Sequence, residues 1–181
     1  LTNTMGLPNN MLKNKYTKTS TYSSGQQVSS TQSTQTYNEW GFNTKDVSEV
    51  ITYTGGILSK SIVTEQLFDI DGLNKSVTIT TSNYDTATQQ LSDSKAVKTS
   101  TLKSNDISIV TTNKTYNSTN GNVTKLVVST ETRDIKGNIS SVVTADTVYN
   151  ASTYKAQTYT ETTDAYINNV KTSNTVSTTT Y

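Results

Sequence analysis

The stretch VTKLVVSTETRDIKGNISSVVTADTVY, residues 123–149, decides the fold of this chain. Two runs rich in Thr and Val flank a short phrase, Asp134 to Asn138, made of turn-forming residues. Asp and Asn accept local backbone hydrogen bonds and Gly adopts positive φ, so the phrase predicts a turn. The β-branched residues on either side suit a pleated strand. The stretch therefore predicts a strand, a short turn and a second, antiparallel strand.

The same strand-and-turn unit recurs along the chain, marked by an aromatic ladder. Tyrosines return about every 32 residues, and a second series lies about halfway between them, which is the periodicity of a repeat architecture. The ladder consists of Tyr22, Tyr37, Tyr53, Phe68, Tyr84, Leu102, Tyr116, Arg133, Tyr149, Tyr166 and Tyr181. Each member up to Tyr166 directly precedes turn residues, so we expect the ladder residues to close the strands and to fix the register.

The fold class predicted from this pattern is all-β. Val77 and Ile79 alternate with threonines, which is the two-residue period of a strand, and no segment carries an apolar stripe at helical spacing. We expect about ten long antiparallel strands in a meander, with about 16 residues per strand-turn unit, rolled or stacked. The alternative is a two-sided β-solenoid with coils of about 32 residues, in which equivalent ladder residues would stack on adjacent parallel strands.

The N-terminal segment differs from the rest of the chain. Residues 1–20 lie before the ladder and contain the single proline, Pro8, and a basic cluster of Lys13, Lys15 and Lys18. We expect residues 1–20 to be an extended arm or linker, and residues 21–181 to form the β-repeat domain. The chain begins with Leu1, which indicates a processed chain or a fragment, and no apolar run approaches the length of a membrane span.

Composition excludes several classes of function. The 181 residues include no Cys and no His, so disulfides and His- or Cys-based metal sites are excluded. A net charge of +1 and a single arginine argue against nucleic-acid binding, which depends on basic patches. The Asp and Glu residues are scattered, and common general bases and nucleophiles are missing. We therefore predict no catalytic residues and no enzymatic activity.

The turn phrases resemble a known family of repeats. Arg133 to Ile139, Tyr116-Asn117 with Gly121-Asn122-Val123, Phe68-Asp69 with Gly72, and Tyr84-Asp85 resemble the tyrosine–aspartate (YD) repeats of bacterial RHS-type proteins, whose phrase is roughly Tyr-Asp-x-x-Gly-Asn-apolar. The resemblance extends over residues 68–166 and more faintly over 22–67. Here the spacing is shorter, Gly is often missing and the later Gly-Arg phrase of that family is absent. The resemblance implies antiparallel strands in a secreted repeat sheet.

Two candidate ligand sites stand out. Asp69, Asp71 and Asn74 place oxygen ligands at a spacing that would suit Ca²⁺, although a simple turn explains the same residues and the closing Glu of an EF-hand loop is missing. Trp40 and Phe42, with Asn38 and Asn43 as polar partners, form the main aromatic cluster outside the ladder. Such a cluster would stack on a sugar ring, or it would anchor a thin core or a subunit contact. No other cofactor is expected.

The sequence contains few large apolar residues, and the expected function follows from this small number. Ordering each residue costs roughly 1–2 kcal/mol of backbone entropy, and packing against identical neighbours would supply the missing burial. We expect a structural subunit of an extracellular or cell-surface fibre, sheath or tube, with copies of itself as partner. The alternatives are an adhesin or carbohydrate-binding module for surface glycans, centred on Trp40, and a shell-type fragment of a YD-repeat protein.

Overall fold

A computed structural model describes residues 3–6, 12–69, 73–102 and 105–181, and within them the protein is entirely β-structure and turns. The strands are Asn3–Gly6 (β1), Leu12–Ser23 (β2), Gln26–Tyr37 (β3), Asn43–Thr54 (β4), Ile57–Phe68 (β5), Asn74–Tyr84 (β6), Leu91–Thr101 (β7), Ile107–Tyr116 (β8), Val123–Arg133 (β9), Ile139–Tyr149 (β10), Ala156–Ile167 (β11) and Val170–Thr180 (β12). No helix in these ranges is long and apolar enough to cross a bilayer. The chain divides into two compact units, Leu1–Gln89 and Gln90–Tyr181.

The first unit is an antiparallel meander of β1 to β6. Each strand pairs with the next one along the chain, and every pairing is antiparallel. Residues 24–25, 38–42 and 55–56 form short connections between neighbours, as expected where consecutive strands run in opposite directions. The strands are rich in the β-branched residues Thr, Val and Ile, which suit pleated, half-exposed strands.

The second unit repeats this architecture with β7 to β12. Its strands also pair with their sequence neighbours, and all pairs are antiparallel. The predicted all-β antiparallel meander is therefore confirmed. The alternative of a β-solenoid is wrong, because a solenoid would pair equivalent strands in parallel, and the turn phrases instead reverse the chain after every strand.

The ordered sheet begins earlier than the predicted boundary at residue 21. Strand β2 starts at Leu12 and pairs with β3 from Asn14 to Ser23, so residues 12–20 belong to the sheet rather than to a separate arm. Strand β1, Asn3–Gly6, pairs with the beginning of β2. Alternating threonines at 17, 19 and 21 carry the strand pattern through this segment, and the three lysines remain compatible with it because one side of a sheet can face water.

Burial is shallow in both units. Among the described residues no hydrophobic side chain is buried, and the buried residues are three serines: Ser30, Ser61 and Ser76. Most strand residues are half-buried, and within each unit each strand is flanked by its neighbours in sequence. Backbone pairing and cross-strand side-chain contacts, rather than an apolar core, therefore hold each unit together.

Candidate functional site

The turn from Asn38 to Phe42 presents the aromatic cluster that the sequence singles out. The Asn38 side-chain oxygen accepts hydrogen bonds from the backbone N–H groups of Trp40 (3.0 Å) and Phe42 (2.9 Å). The N–H of Gly41, at φ +83°, donates to the Asn38 carbonyl (3.0 Å). These bonds close the turn. Both rings face solvent, with Trp40 60% exposed and Phe42 51% exposed.

The two asparagines predicted as polar partners of the rings have structural contacts instead. Asn38 uses its side-chain oxygen within the turn. Asn43 donates from its side-chain nitrogen to the Asp46 carboxylate (2.7 Å), and its buried side-chain oxygen has no hydrogen-bond partner. The structure therefore brings Trp40 and Phe42 together on one turn as an exposed apolar surface, whereas Asn38 and Asn43 shape that turn and the strand that follows.

The proposed calcium ligands lie partly outside the described residues. The Asp69 carboxylate accepts the backbone N–H of Leu73 (2.9 Å), and the Asp69 N–H donates to the Leu73 carbonyl (3.0 Å). Asp71 falls outside the described residues, and the Asn74 side chain is likewise not described. Within the described ranges no group of three or more acidic residues is positioned to hold a metal. Asp69 thus serves the turn, and the calcium site stays a prediction.

The ladder residues lie at the ends of strands, where the register shifts. Pairing slips by one residue directly before the ladder position in seven hairpins. These positions are Tyr22, Tyr37, Tyr53, Phe68, Tyr116, Tyr149 and Tyr166. Arg133 faces Ile139 at the same kind of slip. Tyr84 ends β6, and Tyr181 directly follows β12. A register slip of this kind is a β-bulge, which bends a strand and increases its twist.

Sequence reasoning missed the residue that occupies each bulge. It lies on the strand after the turn, and in five hairpins its hydroxyl donates to the carbonyl that precedes the ladder position. The pairs are Thr44–Thr36 (3.2 Å), Ser59–Thr52 (3.1 Å), Thr124–Thr115 (3.2 Å), Ser140–Thr132 (3.0 Å) and Thr172–Ala165 (3.1 Å). A Ser or Thr soon after the turn was the available signal in these five hairpins, but the abundance of these residues conceals it.

A polar network crosses four strands on one face of the first unit. Tyr16 on β2 donates its hydroxyl to the Gln32 side-chain oxygen (3.2 Å), and the Gln32 side-chain nitrogen donates to Glu49 on β4. Ser61 on β5 donates to the other Glu49 oxygen (2.8 Å). Val47 and Val63 flank this network, and together with Tyr16, Gln32 and Glu49 they line a shallow groove of about 150 Å³.

Charged pairs on the second unit lie on partly exposed strands. Lys171 contacts the Asp164 carboxylate at 2.7 Å, and the Asn174 side-chain nitrogen donates to the same oxygen at 2.6 Å. The hydrogen bond from Asn174, with that from Lys171, lowers the pKa of Asp164. Lys125 contacts Asp146 at 2.9 Å. These groups form structural pairs, and none aligns a nucleophile with a base in the way that catalysis requires.

Exposed large apolar side chains divide unequally between the two ends of the strands. The exposed apolar residues at the turns that follow odd-numbered strands, together with those directly beside these turns, are called the apolar turn row. Its members are Trp40, Phe42 and Leu73 in the first unit, and Leu102, Ile135, Ile167 and Val170 in the second. Where even-numbered strands finish, the corresponding exposed residues are tyrosines: Tyr22, Tyr154 and Tyr181. In each unit one end is therefore apolar, whereas the other presents phenols.

Comparison with known proteins does not identify a family. No protein-family model and no curated protein matches the chain. Among solved structures, the chain is similar to a protein of unknown function from Bacteroides fragilis, at 11% identity and a TM-score of 0.26 over 90% of this chain and 91% of the other.

Proposed function

We propose that the chain is a structural subunit of an extracellular or cell-surface fibre, sheath or tube, and that copies of the chain are its partners. The absence of any buried hydrophobic side chain among the described residues carries this proposal. A sheet with both faces half-exposed gains little from apolar burial, while ordering its residues costs roughly 1–2 kcal/mol each. Contact with further copies would remove additional apolar surface from water and offset that cost. The proposal assigns the chain no catalytic activity.

In each unit, the residues of the apolar turn row form the surface that favours such contact. Ile135 and Ile167 lie at turns of the second unit and are largely exposed. Burying apolar surface is worth about 25 cal/mol per Å², so several such side chains together stabilise an assembly measurably. Exposed apolar patches rimmed by polar residues commonly mark sites of protein association.

Sedimentation velocity and electron microscopy over a range of concentrations test the proposal. The wild-type chain is expected to form filaments or other ordered polymers as concentration rises. The double variant Ile135→Ser, Ile167→Ser should raise the concentration needed for assembly at least several-fold. Tyr181→Ser, which removes an exposed ring from the other end of the strands, is the matched control. A folded wild-type monomer that persists at high concentration would contradict the proposal.

The second candidate is an adhesin or carbohydrate-binding module, supported by the exposed rings of Trp40 and Phe42 on a single turn. Aromatic side chains present large flat surfaces at low entropic cost. A glycan that stacks on Trp40 should change its fluorescence, and Trp40→Ala should abolish binding while Ile135→Ser leaves it intact. A flat response over a broad glycan panel excludes this candidate.

A shell-type fragment of a YD-repeat protein is the third candidate, and it shares the antiparallel meander with the first. Electron microscopy separates the two, because a shell fragment gives discrete particles whereas a fibre subunit gives extended polymers.

A further inference from the structure

Tyr149 and Tyr154 form a stacked pair at the turn between β10 and β11. Their ring centroids lie 5.3 Å apart and their planes differ by 10°. At that separation, nearly parallel rings are offset, so that the edge of one ring lies over the edge of the other. Tyr149 is half-buried at the end of β10, whereas Tyr154 is 56% exposed. Among the described residues no other pair of aromatic rings makes such a contact.

The turn holds the Tyr154 ring in place. The Tyr154 N–H donates to the Asn150 carbonyl (2.9 Å), and the Asn150 N–H donates to the Lys155 carbonyl (2.9 Å). The Asn150 side-chain oxygen accepts the N–H groups of Ser152 and Thr153, both at 2.9 Å. The ring is thus positioned by a fully bonded loop rather than by a free chain end.

Tyr154 adopts a backbone conformation that a bulky residue rarely takes. Its φ is +57°, in the left-handed region. The equivalent position is Gln89 in the turn Asp85–Gln89 and Gly121 in the turn Asn117–Gly121, at φ +62° and +71°. A tyrosine here has a strained backbone, and strained backbone positions of this kind concentrate at functional sites. In this turn the conformation places a second phenol directly on a ladder tyrosine.

We propose that Tyr149 and Tyr154 are a site of oxidative coupling that yields an intrachain dityrosine. A peroxide, activated by a haem peroxidase, removes one electron and one proton from each phenol. The two tyrosyl radicals join through a carbon–carbon bond between ring positions ortho to the hydroxyls. The two ring hydrogens then return as phenolic O–H, so the protein loses two hydrogens in total and the peroxide is reduced to two waters.

The pair is suited to this reaction because proximity replaces a bimolecular encounter. Radicals on separate chains must diffuse together, whereas these two rings already touch. Exposure of Tyr154 gives the oxidant access to one ring, and the second ring is within contact distance. The resulting bond would close the turn from residue 149 to residue 154 covalently and restrain the β10–β11 hairpin. The coupling is intrachain and does not depend on the proposed assembly.

The test uses the whole chain at a dilution where it is monomeric, with a haem peroxidase and limiting hydrogen peroxide. The expected result is dityrosine fluorescence in the monomer fraction, with a loss of two hydrogens assigned by mass spectrometry to a peptide containing residues 149 and 154. Tyr154→Phe keeps the stacked ring and the turn but lacks the phenol, and should reduce the intrachain product at least tenfold. Tyr22→Phe, a change at an exposed tyrosine without a stacked neighbour, should leave it unchanged.

Three outcomes would overturn the inference. One is an equal yield of intrachain dityrosine in wild type and Tyr154→Phe, with both proteins folded by circular dichroism. Another is a product that links only separate chains, for instance through Tyr22 or Tyr181. Absence of any dityrosine also overturns it if free tyrosine couples in the same reaction. Because the readout comes from monomers, failure of this inference is distinguishable from failure of assembly.

Discussion

The Ser140 hydroxyl donates a hydrogen bond of 3.0 Å to the carbonyl oxygen of Thr132, across the hairpin of β9 and β10. Ile139 pairs with Arg133 and Ser141 pairs with Thr132, so Ser140 is the extra residue of a β-bulge. A bulge disrupts the backbone ladder locally. The Ser140 hydroxyl supplies a hydrogen-bond donor at the bulge. A Ser or Thr hydroxyl does the same in four further hairpins.

Replacing the bulge hydroxyl should therefore weaken the hairpin. We expect Ser140→Ala to lower the free energy of unfolding by about 1 kcal/mol, the typical net contribution of one hydrogen bond. Ser140→Thr should be nearly neutral, because threonine fills the same position at Thr44, Thr124 and Thr172. Urea unfolding gives the values, with Thr179→Ala on the exposed strand β12 as control. Equal effects of Ser140→Ala and Thr179→Ala would contradict the role of the hydroxyl.

Lowering the pH should destabilise the turn at Asp134. The Asn138 side-chain amide, the Asn138 backbone N–H and the Lys136 backbone N–H all donate to its carboxylate, and the amide contributes most to lowering the pKa of Asp134 below 3.8. A depressed folded-state pKa stabilises the protein at pH values above the unfolded pKa, and that stability is lost as pH falls through the folded pKa. We expect the melting temperature to fall with pH below about 4 for this reason.

Asp134→Asn separates this contribution from general acid effects. Asn38 closes the equivalent turn with an amide oxygen, so asparagine should preserve the turn at position 134. The variant should melt below wild type at neutral pH, because it lacks the charged acceptor of the Asn138 amide, and it should lose less stability on acidification. Thermal melts by circular dichroism at several pH values provide the measurement. Identical pH profiles for the two proteins would show that Asp134 makes no such contribution.

Glu49 should be important for the stability of the first unit, because it accepts hydrogen bonds from both neighbouring strands. Removing it leaves the Gln32 amide and the hydroxyl of Ser61, a residue that is only 5% exposed, without their acceptor. Leaving a buried donor unsatisfied costs about 1–3 kcal/mol, so Glu49→Ala should destabilise the unit by an amount in that range. Glu39→Ala, in the exposed turn of the same unit, should be almost neutral. Denaturant unfolding of the two variants measures the difference in stability. Similar midpoints would show that the hydrogen bonds to Glu49 do not stabilise the unit.

Gly137 is constrained by backbone conformation rather than by space. Its φ is +86°, and nothing lies within 4 Å of the position that an added Cβ would occupy. We expect Gly137→Ala to cost about 1 kcal/mol of stability, and Gly137→Asn to cost less because asparagine tolerates the left-handed region. Unfolding in urea measures both variants against wild type. A larger loss for asparagine than for alanine would point to a steric clash instead.

The sequence predicted the locally encoded part of this structure. Turn chemistry depends on residues within about five positions of each other, so Asp134, Asn138 and Gly137 reveal their turn without knowledge of the fold. The ladder begins at Tyr22, whereas strand β2 begins at Leu12, because the Thr alternation of 17–21 carries the strand pattern ahead of the ladder. The candidate site was only partly predictable: Trp40 and Phe42 share an exposed turn, whereas the Asn38 side-chain oxygen bonds within that turn and the Asn43 side-chain nitrogen bonds to Asp46.

By itself, therefore, the amino-acid sequence determined the strand period and the turns that follow the ladder residues, because backbone propensity and short-range hydrogen bonds encode them. Only the tertiary structure decided between the antiparallel meander and the solenoid, and which side chains meet across strands. The bulge at Ser140, the acceptor role of Glu49 and the stacking of Tyr154 on Tyr149 all depend on register and on loop conformation. A slip of one residue moves a side chain to the opposite face of the sheet, and composition rich in Ser and Thr leaves many such registers chemically alike.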